Sequence, residues 1–281
     1  MTTLLVRLER FYDAVPRDRA RVEEHGGLVL FVPDGSVWPF YARPRLGGAP
    51  TAADIASVRA RQRELALPET IEWVDENTPG LAELAEAAGL AVLRAPLMVL
   101  DPAALPPVPD HVRVLDRKAP SFGADLAARR AVAQVGFGTP GTMIGTAGAA
   151  ERDAALAAPS DEGVRREAAR VRDGRAAHAL AEALGEGAVA SGNYQRVADV
   201  AEIVGVATLP AARRRGLGAA VTVALARHAL DHGVRTVFLS AAEDDVARVY
   251  ARVGFRRVGT ACIASPPHQP ESGSAVRSDS Q

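Results

Sequence analysis

Residues 201–255 decide the fold, and they read AEIVGVATLPAARRRGLGAAVTVALARHALDHGVRTVFLSAAEDDVARVYARVGF. Apolar runs alternate here with amphipathic stretches, which predicts strand, helix, strand and helix in that order. The predicted ranges are Ile203–Thr208 for the first strand, a helix from the glycine turn to His232, Val234–Ser240 for the second strand and Asp244–Arg252 for the second helix.

The turn before the first helix reads Arg213-Arg214-Arg215-Gly216-Leu217-Gly218. Backbone N–H groups at the start of a helix have no partner inside the helix, and the helix dipole favours negative charge there. Glycine at positions 216 and 218 lets the backbone approach a ligand closely. The turn therefore predicts a binding site for phosphate groups.

The order of these motifs resembles that of one protein family. Arg-x-x-Gly-x-Gly follows an apolar strand, and the second helix carries Ala247 and Tyr250 and ends at Gly254-Phe255. Over about residues 111–263 the chain resembles the GNAT superfamily of acetyl-CoA-dependent N-acetyltransferases. The resemblance implies an α/β (α+β) GNAT fold, with a mixed, mostly antiparallel twisted sheet flanked by helices. It also implies acetyl-CoA as cofactor and CoA as product.

The resemblance implies two catalytic side chains. The matching tyrosine of the family points at the CoA sulfur and serves as general acid, which gives that role to Tyr250; a phenol with an ordinary pKa of about 10 stays protonated at neutral pH. Ten residues separate Glu202 from Arg213. The catalytic glutamate of the histone acetyltransferase branch keeps this spacing, so Glu202 is the candidate base, acting through water.

The resemblance also implies how CoA is held. In the family the strand splays open, its free backbone groups pair with the pantetheine amides, and the pyrophosphate lies on the N–H groups that start the helix. Asp244 stands where the family usually has asparagine, which leaves its contact with CoA open. The candidate cofactor-binding residues are Val206, Ala207, Thr208, Arg213, Arg214, Arg215, Gly216, Leu217, Gly218, Ala219, Asp244, Ala247 and Tyr250.

Composition limits the function classes. The chain has 281 residues, which suits two domains, and its formal net charge of −1 with 5% aromatic residues argues against nucleic-acid binding. No secretory signal and no apolar run of about 20 residues is recognisable, so a cytoplasmic protein without membrane contact is expected. The single cysteine, Cys262, lies in an apolar run and is interpreted as a core residue.

A proline-rich segment predicts the domain boundary. Residues 101–110 contain four prolines and are interpreted as a linker between domains 1–100 and 111–264. The segment 265–281 is polar and rich in proline and serine, which predicts a disordered tail.

The first half repeats the ending of the second half. A predicted strand over 69–74 and a predicted helix over 79–88 precede Gly89-Leu90, which stands where Gly254-Phe255 stands. Residues 1–100 are therefore interpreted as a smaller, degenerate GNAT-like domain without a phosphate turn; an unrelated α+β domain is the alternative. The other predicted elements are strands over 37–42, 111–115, 176–183 and 187–194, helices over 51–65, 124–135 and 151–171, and a loop over 136–148.

The sequence favours an N-acetyltransferase that moves an acetyl group directly to a primary amine in a ternary complex. The acceptor stays open between a small amine and a peptide amine, and loop 136–148 together with the helix after it is expected to select it. A catalytically silent CoA-binding protein with a regulatory or scaffolding role is the alternative, and a homodimer stays open. His228 and His232 have the i, i+4 spacing of a metal pair but no glutamate between them, so no metal is predicted and they are assigned to the solvent face.

Overall fold

The computed structural model describes residues 3–34, 40–139 and 141–267. The helices within these ranges are α1 Thr3–Ala14, α2 Ala52–Glu64, α3 Leu81–Ala87, α4 Phe122–Phe137, α5 Ala149–Ala154, α6 Asp161–Arg172, α7 Leu217–Asp231 and α8 Asp244–Ala251. The strands are β1 Ala20–His25, β2 Leu28–Pro33, β3 Arg43–Pro44, β4 Ile71–Val74, β5 Ala91–Leu100, β6 Val112–Val114, β7 Ala176–Ala183, β8 Gly187–Val197, β9 Val200–Thr208, β10 Thr236–Ser240 and β11 Phe255–Ser265. None of these helices combines the length and the apolar composition needed to cross a bilayer.

The chain divides into two compact units. The larger unit contains the described residues up to Val15 together with Ala95–Ala261, and the smaller one contains Pro16–Arg94 and the described residues from Cys262 onward. This division differs from the predicted bounds 1–100, 101–110 and 111–264. Residues 101–110 lie inside the larger unit, where the Asp101 N–H donates to the Gly254 carbonyl at 2.9 Å.

The sheet of the larger unit has the strand order β11-β5-β10-β9-β8-β7-β6. Strands β9 and β10 run parallel because helix α7 connects them as a crossover. The pairs β5–β10, β8–β9, β7–β8 and β6–β7 are antiparallel. The predicted mixed, mostly antiparallel sheet flanked by helices is thus confirmed.

Helices α4 and α7 cover opposite faces of this sheet. A side-chain carbon added at Gly192 of β8 would lie 2.9 Å from Val221 of α7, whereas the neighbouring Asn193 accepts a hydrogen bond from Arg129 of α4 at 3.1 Å. Successive residues of a strand point to opposite faces, so these two contacts place the two helices on different sides. Apolar side chains from both helices and the sheet form the main core.

The segment over 151–171, predicted as one helical stretch, forms two helices. Helix α5 ends at Ala154 and α6 begins at Asp161, with Pro159 between them. Proline disfavours the helical conformation in the residue before it. The side chain of Ser160 then accepts a hydrogen bond from the Gly163 N–H at 3.1 Å and caps the new helix.

The smaller unit contains the three-stranded antiparallel sheet β1-β2-β3, with α2, β4 and α3 following it along the chain. Its core includes the fully buried side chains of Ile55, Trp73 and Cys262, as expected for the cysteine. The predicted strand over 69–74 and helix over 79–88 correspond to β4 and α3. Residues 37–39 of the predicted strand 37–42, and residues 268–281 of the predicted tail, lie outside the described part of the chain.

Candidate functional site

The turn between β9 and α7 is built on two left-handed residues. Arg214 has φ +65° and Gly216 has φ +76°, and α7 begins at the next residue, Leu217. The first helical hydrogen bond runs from the Ala220 N–H to the Gly216 carbonyl at 3.0 Å. The three preceding N–H groups are therefore not used within the helix, as an anion site requires.

Crowding within the protein requires neither glycine of the turn. A side-chain carbon added at Gly218 would lie 3.4 Å from the Thr208 hydroxyl oxygen, which is an ordinary contact distance. A side-chain carbon added at Gly216 would meet no atom within 4 Å. Gly216 is required by its left-handed backbone conformation, which L side chains rarely adopt, more than by crowding within the protein.

The ladder between β9 and β10 is short. Its last pair is Phe238↔Glu202, whereas β9 continues to pair with β8 as far as Thr208↔Ala190. Gly205, with φ +63°, lies within the part of β9 where the register against β8 shifts. The side of β9 that faced β10 is thus outside the ladder along Val206, Ala207 and Thr208, where a ligand can pair with the backbone as another strand would.

Two arginines of the turn, Arg213 and Arg215, make contacts with other parts of the protein. The Arg213 guanidinium donates to the carbonyl oxygens of Gly136, Thr139 and Met143 at 2.8, 2.6 and 3.0 Å. Burial lowers the pKa of Arg213 below its ordinary value. Arg215 is exposed and lies 2.9 Å from Glu186. Arg213, a candidate cofactor-binding residue, therefore holds the loop after α4 through its guanidinium.

Tyr250 lies on the last turn of α8 and is 8% exposed. Its ring lies 6.2 Å from the ring of Phe255, and burial raises the pKa of its hydroxyl to about 12. The phenol is thus protonated at neutral pH. Ala247, one turn earlier on the same helix, packs against the main core, whereas Asp244 is exposed at the helix start.

Glu202 is 5% exposed and both of its carboxylate oxygens accept hydrogen bonds. Tyr12 of α1 donates to Oε1 at 2.9 Å, and Gln195 of β8 donates to Oε2 at 2.9 Å. The ring of Tyr12 also meets the ring of Phe238 edge to face, with centroids 5.4 Å apart. Glu202 thus lies at the last pair of the β9–β10 ladder, held from two sides.

One family model matches the part of the chain that contains this candidate site. Residues 149–255 match the model of the acetyltransferase (GNAT) family, a range that includes the turn, Glu202 and Tyr250. Residues 149–255 belong to the GNAT family. No curated protein is detectably similar in sequence.

Several solved structures resemble nearly the whole chain in fold. A GCN5-related N-acetyltransferase from Kribbella flavida is 24% identical with a TM-score of 0.68, and 96% of this chain and 98% of that one are covered. A GCN5-related N-acetyltransferase-like protein from Streptococcus suis 89/1591 is 12% identical, with a TM-score of 0.52 and coverage of 93% and 97%. A functionally unknown conserved protein from Staphylococcus epidermidis ATCC 12228 is 13% identical, with a TM-score of 0.54 and coverage of 90% and 96%. At these identities the likeness shows the fold.

Two residues at the GNAT domain's candidate site are missing from the sequence-based assignment. Tyr12 and Gln195 both hold Glu202, yet neither belongs to a motif. Gln195 lies directly across the β8–β9 ladder from Glu202, so the strand pairing would have identified it. No local signal exists for Tyr12, because it comes from the other end of the chain.

The histidine pair of the GNAT domain is not simply a solvent face. His232 is exposed, but His228 is half-buried, and its Nδ1 lies 3.1 Å from the hydroxyl oxygen of Tyr194. The two imidazole rings stack with centroids 4.0 Å apart, and both line a cavity of about 410 Å³. Burial lowers the pKa of His228 to about 4, so its ring is neutral at physiological pH. The assignment of His228 to the solvent face is therefore wrong.

Proposed function

We propose that the GNAT domain is an acetyl-CoA-dependent N-acetyltransferase that moves an acetyl group to a primary amine in a ternary complex. One observation carries the proposal: the left-handed turn at the start of α7 lies at the end of the strand that leaves the β9–β10 ladder after Glu202. A free strand edge is thus followed directly by an anion site. A ligand with an amide-bearing arm and a diphosphate can place the arm along the strand and the diphosphate at the start of the helix.

The residues present fit this ligand. The N–H groups of Leu217, Gly218 and Ala219 at the start of α7 would hold the pyrophosphate, and the backbone of Val206 to Thr208 would pair with the pantetheine arm. Arg214 is exposed beside these groups and adds positive charge. Arg213 supports the site indirectly through its three carbonyl contacts.

The bound thioester supplies an activated acetyl group, so the protein must position the amine and move two protons. Glu202 accepts, through water, the proton that the ammonium group loses to become a free amine, and Tyr12 and Gln195 fix both of its oxygens. The amine nitrogen then bonds to the acetyl carbon as the carbon–sulfur bond breaks. Tyr250 donates a proton to the departing sulfur and regains one from the nitrogen of the new amide. Its buried hydroxyl suits a general acid, since burial favours the protonated form.

We expect Tyr12→Phe to lower kcat about tenfold, because it removes one hydrogen bond to Glu202 and keeps the aromatic contacts with Phe11 and Phe238. Glu202→Gln is expected to lower kcat by about 10²-fold and to flatten the acidic limb of the pH profile. If Tyr12 acts through Glu202, the double variant should be no slower than Glu202→Gln alone. Losses that simply multiply would assign the two residues to separate roles.

We also expect intersecting double-reciprocal plots when acetyl-CoA and amine are varied, as in direct transfer. Cys262 is fully buried, and burial raises the pKa of its thiol to about 12, so it is neither accessible nor ionised as a nucleophile. Cys262→Ala should keep its kcat within about twofold in steady-state assays. Parallel lines, or an acetylated enzyme detected by mass spectrometry, would contradict direct transfer.

A catalytically silent CoA-binding protein is the second candidate, and one observation favours it. Both oxygens of Glu202 are already engaged by side-chain donors, as in a structural carboxylate. This candidate predicts CoA binding by calorimetry with no amine-dependent release of free thiol across a panel of small and peptide amines. Amine-dependent thiol release that Tyr250→Phe diminishes would exclude it.

A further inference from the structure

Three large apolar side chains are exposed at the end of α4 and on the loop that follows. Phe137, Met143 and Ile144 are 62%, 70% and 64% exposed. We call them the apolar patch. Single exposed apolar residues are ordinary on protein surfaces, but a group of three large ones within so short a segment points to a ligand.

The backbone that carries the patch is held in place. The Arg213 guanidinium donates to three of its carbonyls, those of Gly136, Thr139 and Met143. The Gly145 N–H donates to the Pro210 carbonyl at 3.1 Å, and the Ala211 N–H donates to the Ala147 carbonyl at 2.9 Å. The segment is thus fixed along the connection between β9 and α7 while its large side chains stay exposed. A rigid loop of this kind is suited to binding.

The patch also begins beside the strand that leaves the ladder. A side-chain carbon added at Gly136 would lie 3.0 Å from Cβ of Ala207 and 3.1 Å from the carbonyl oxygen of Thr208. One added at Gly141 would lie 3.8 Å from the Glu243 carboxylate. Glu243 is exposed and directly precedes α8, the helix that carries Tyr250. Apolar surface and negative charge therefore both lie near the backbone of β9 that is proposed to pair with the pantetheine arm.

We infer that the apolar patch binds the acceptor, and that the acceptor is a primary amine with an apolar chain whose ammonium group is attracted by Glu243. The inference rests on the proposed function and names the substrate class of that site. Primary amines with an ordinary pKa of about 10 arrive as cations at neutral pH, so a nearby carboxylate raises their local concentration. The apolar chain then covers Phe137, Met143 and Ile144.

The test uses straight-chain amines from ethylamine to hexylamine, each measured in two ways on the full chain. Calorimetry gives their affinity for the CoA-loaded protein, and steady-state assays give kcat/KM for acetylation. A fully buried methylene strengthens binding by about three- to fourfold. With partial burial we expect a rise of about 10- to 100-fold in both quantities from ethylamine to hexylamine.

The variant Phe137→Gln/Met143→Gln/Ile144→Asn should remove most of this dependence on chain length while leaving CoA affinity unchanged. Its three positions are well exposed, so the fold should tolerate the changes. Leu46→Gln is the matched control, since Leu46 is 44% exposed and belongs to the smaller unit. It should keep the full dependence. Glu243→Gln should weaken all the amines by a similar factor and leave the slope unchanged.

The outcomes separate the two proposals. Equal affinity for all chain lengths, or a slope that survives the triple substitution, overturns the apolar acceptor. Chain-length-dependent binding without any acetylation supports the acceptor site and overturns the transferase. The patch would instead serve self-association if two results were found together: the parent protein sediments as a dimer and the triple variant as a monomer, and the affinity of the parent protein for the amines does not depend on chain length. This outcome would overturn the inference.

Discussion

Replacing Tyr250 with phenylalanine is expected to lower kcat by about 10- to 10³-fold while CoA affinity changes little. General acid catalysis typically contributes about 10²–10⁴-fold, and a thiolate leaves tolerably well without a proton. The substitution removes only the hydroxyl from a ring that is 8% exposed, so packing against Phe255 is kept. Steady-state kinetics with calorimetry of CoA binding would measure the two effects separately.

The pH dependence of kcat provides a second test of the role of Tyr250. In the proposed mechanism the protonated form of Tyr250 is the active one, and burial raises its pKa to about 12. Ionisation of Tyr250 should therefore cause no loss of kcat through the neutral and moderately alkaline range, where a phenol of ordinary pKa near 10 would begin to fail. An alkaline limb near pH 10 that vanishes in Tyr250→Phe would contradict the buried acid.

Replacing Gly216 with valine should weaken CoA binding by about 10²-fold or more. Gly216 has φ +76°, and a β-branched side chain opposes this conformation, so the turn must change and the N–H groups that start α7 must move. Loss of two charge-assisted hydrogen bonds is enough for an effect of this size. Calorimetry, or the thermal shift produced by saturating CoA, measures it.

Gly47 offers a matched control for the strain itself. It has φ +73°, a side-chain carbon added there also meets no atom within 4 Å, and it lies in the smaller unit. Gly47→Val should lower the melting temperature much as Gly216→Val does, yet leave CoA affinity unchanged. Equal CoA affinity in the parent protein and a folded Gly216→Val variant would disprove the assignment of the phosphate turn.

Local patterns were enough to predict the elements near the site. The strand, turn and helix around Gly216 lie within a few residues of their predicted positions. Apolar periodicity and turn-forming glycines depend only on residues that are close in sequence, so a short window is enough to predict them. The ending of the first half was predicted in the same way. In the structure β4, α3, Gly89 with φ +80° and β5 follow in the same order as β10, α8, Gly254 with φ +99° and β11. That the first half is a degenerate copy stays a prediction.

Contacts between distant parts of the chain could not be predicted. The motif gave Arg213 a role at the phosphates, but the position of its guanidinium depends on three carbonyls of a loop about 70 residues earlier. The prolines of residues 101–110 suggested a linker, but contacts with distant residues, such as the hydrogen bond from Asp101 to Gly254, place that segment within the larger unit. Such contacts are set by the packed sheet, which no short window of sequence contains.

The hydrogen bond between Tyr12 and Glu202 has a consequence for biosynthesis, because it joins residues 190 positions apart. A ribosome adds roughly 5–20 residues per second, so Glu202 is made about 10–40 s after Tyr12. During that interval Phe11 and Tyr12 lack their contacts with Glu202 and Phe238, although both residues are buried in the finished protein. Helix α1 thus completes its contacts only after the residues around Glu202 and Phe238 have been made. A nascent chain stalled before Glu202 should expose it to chaperones and proteases.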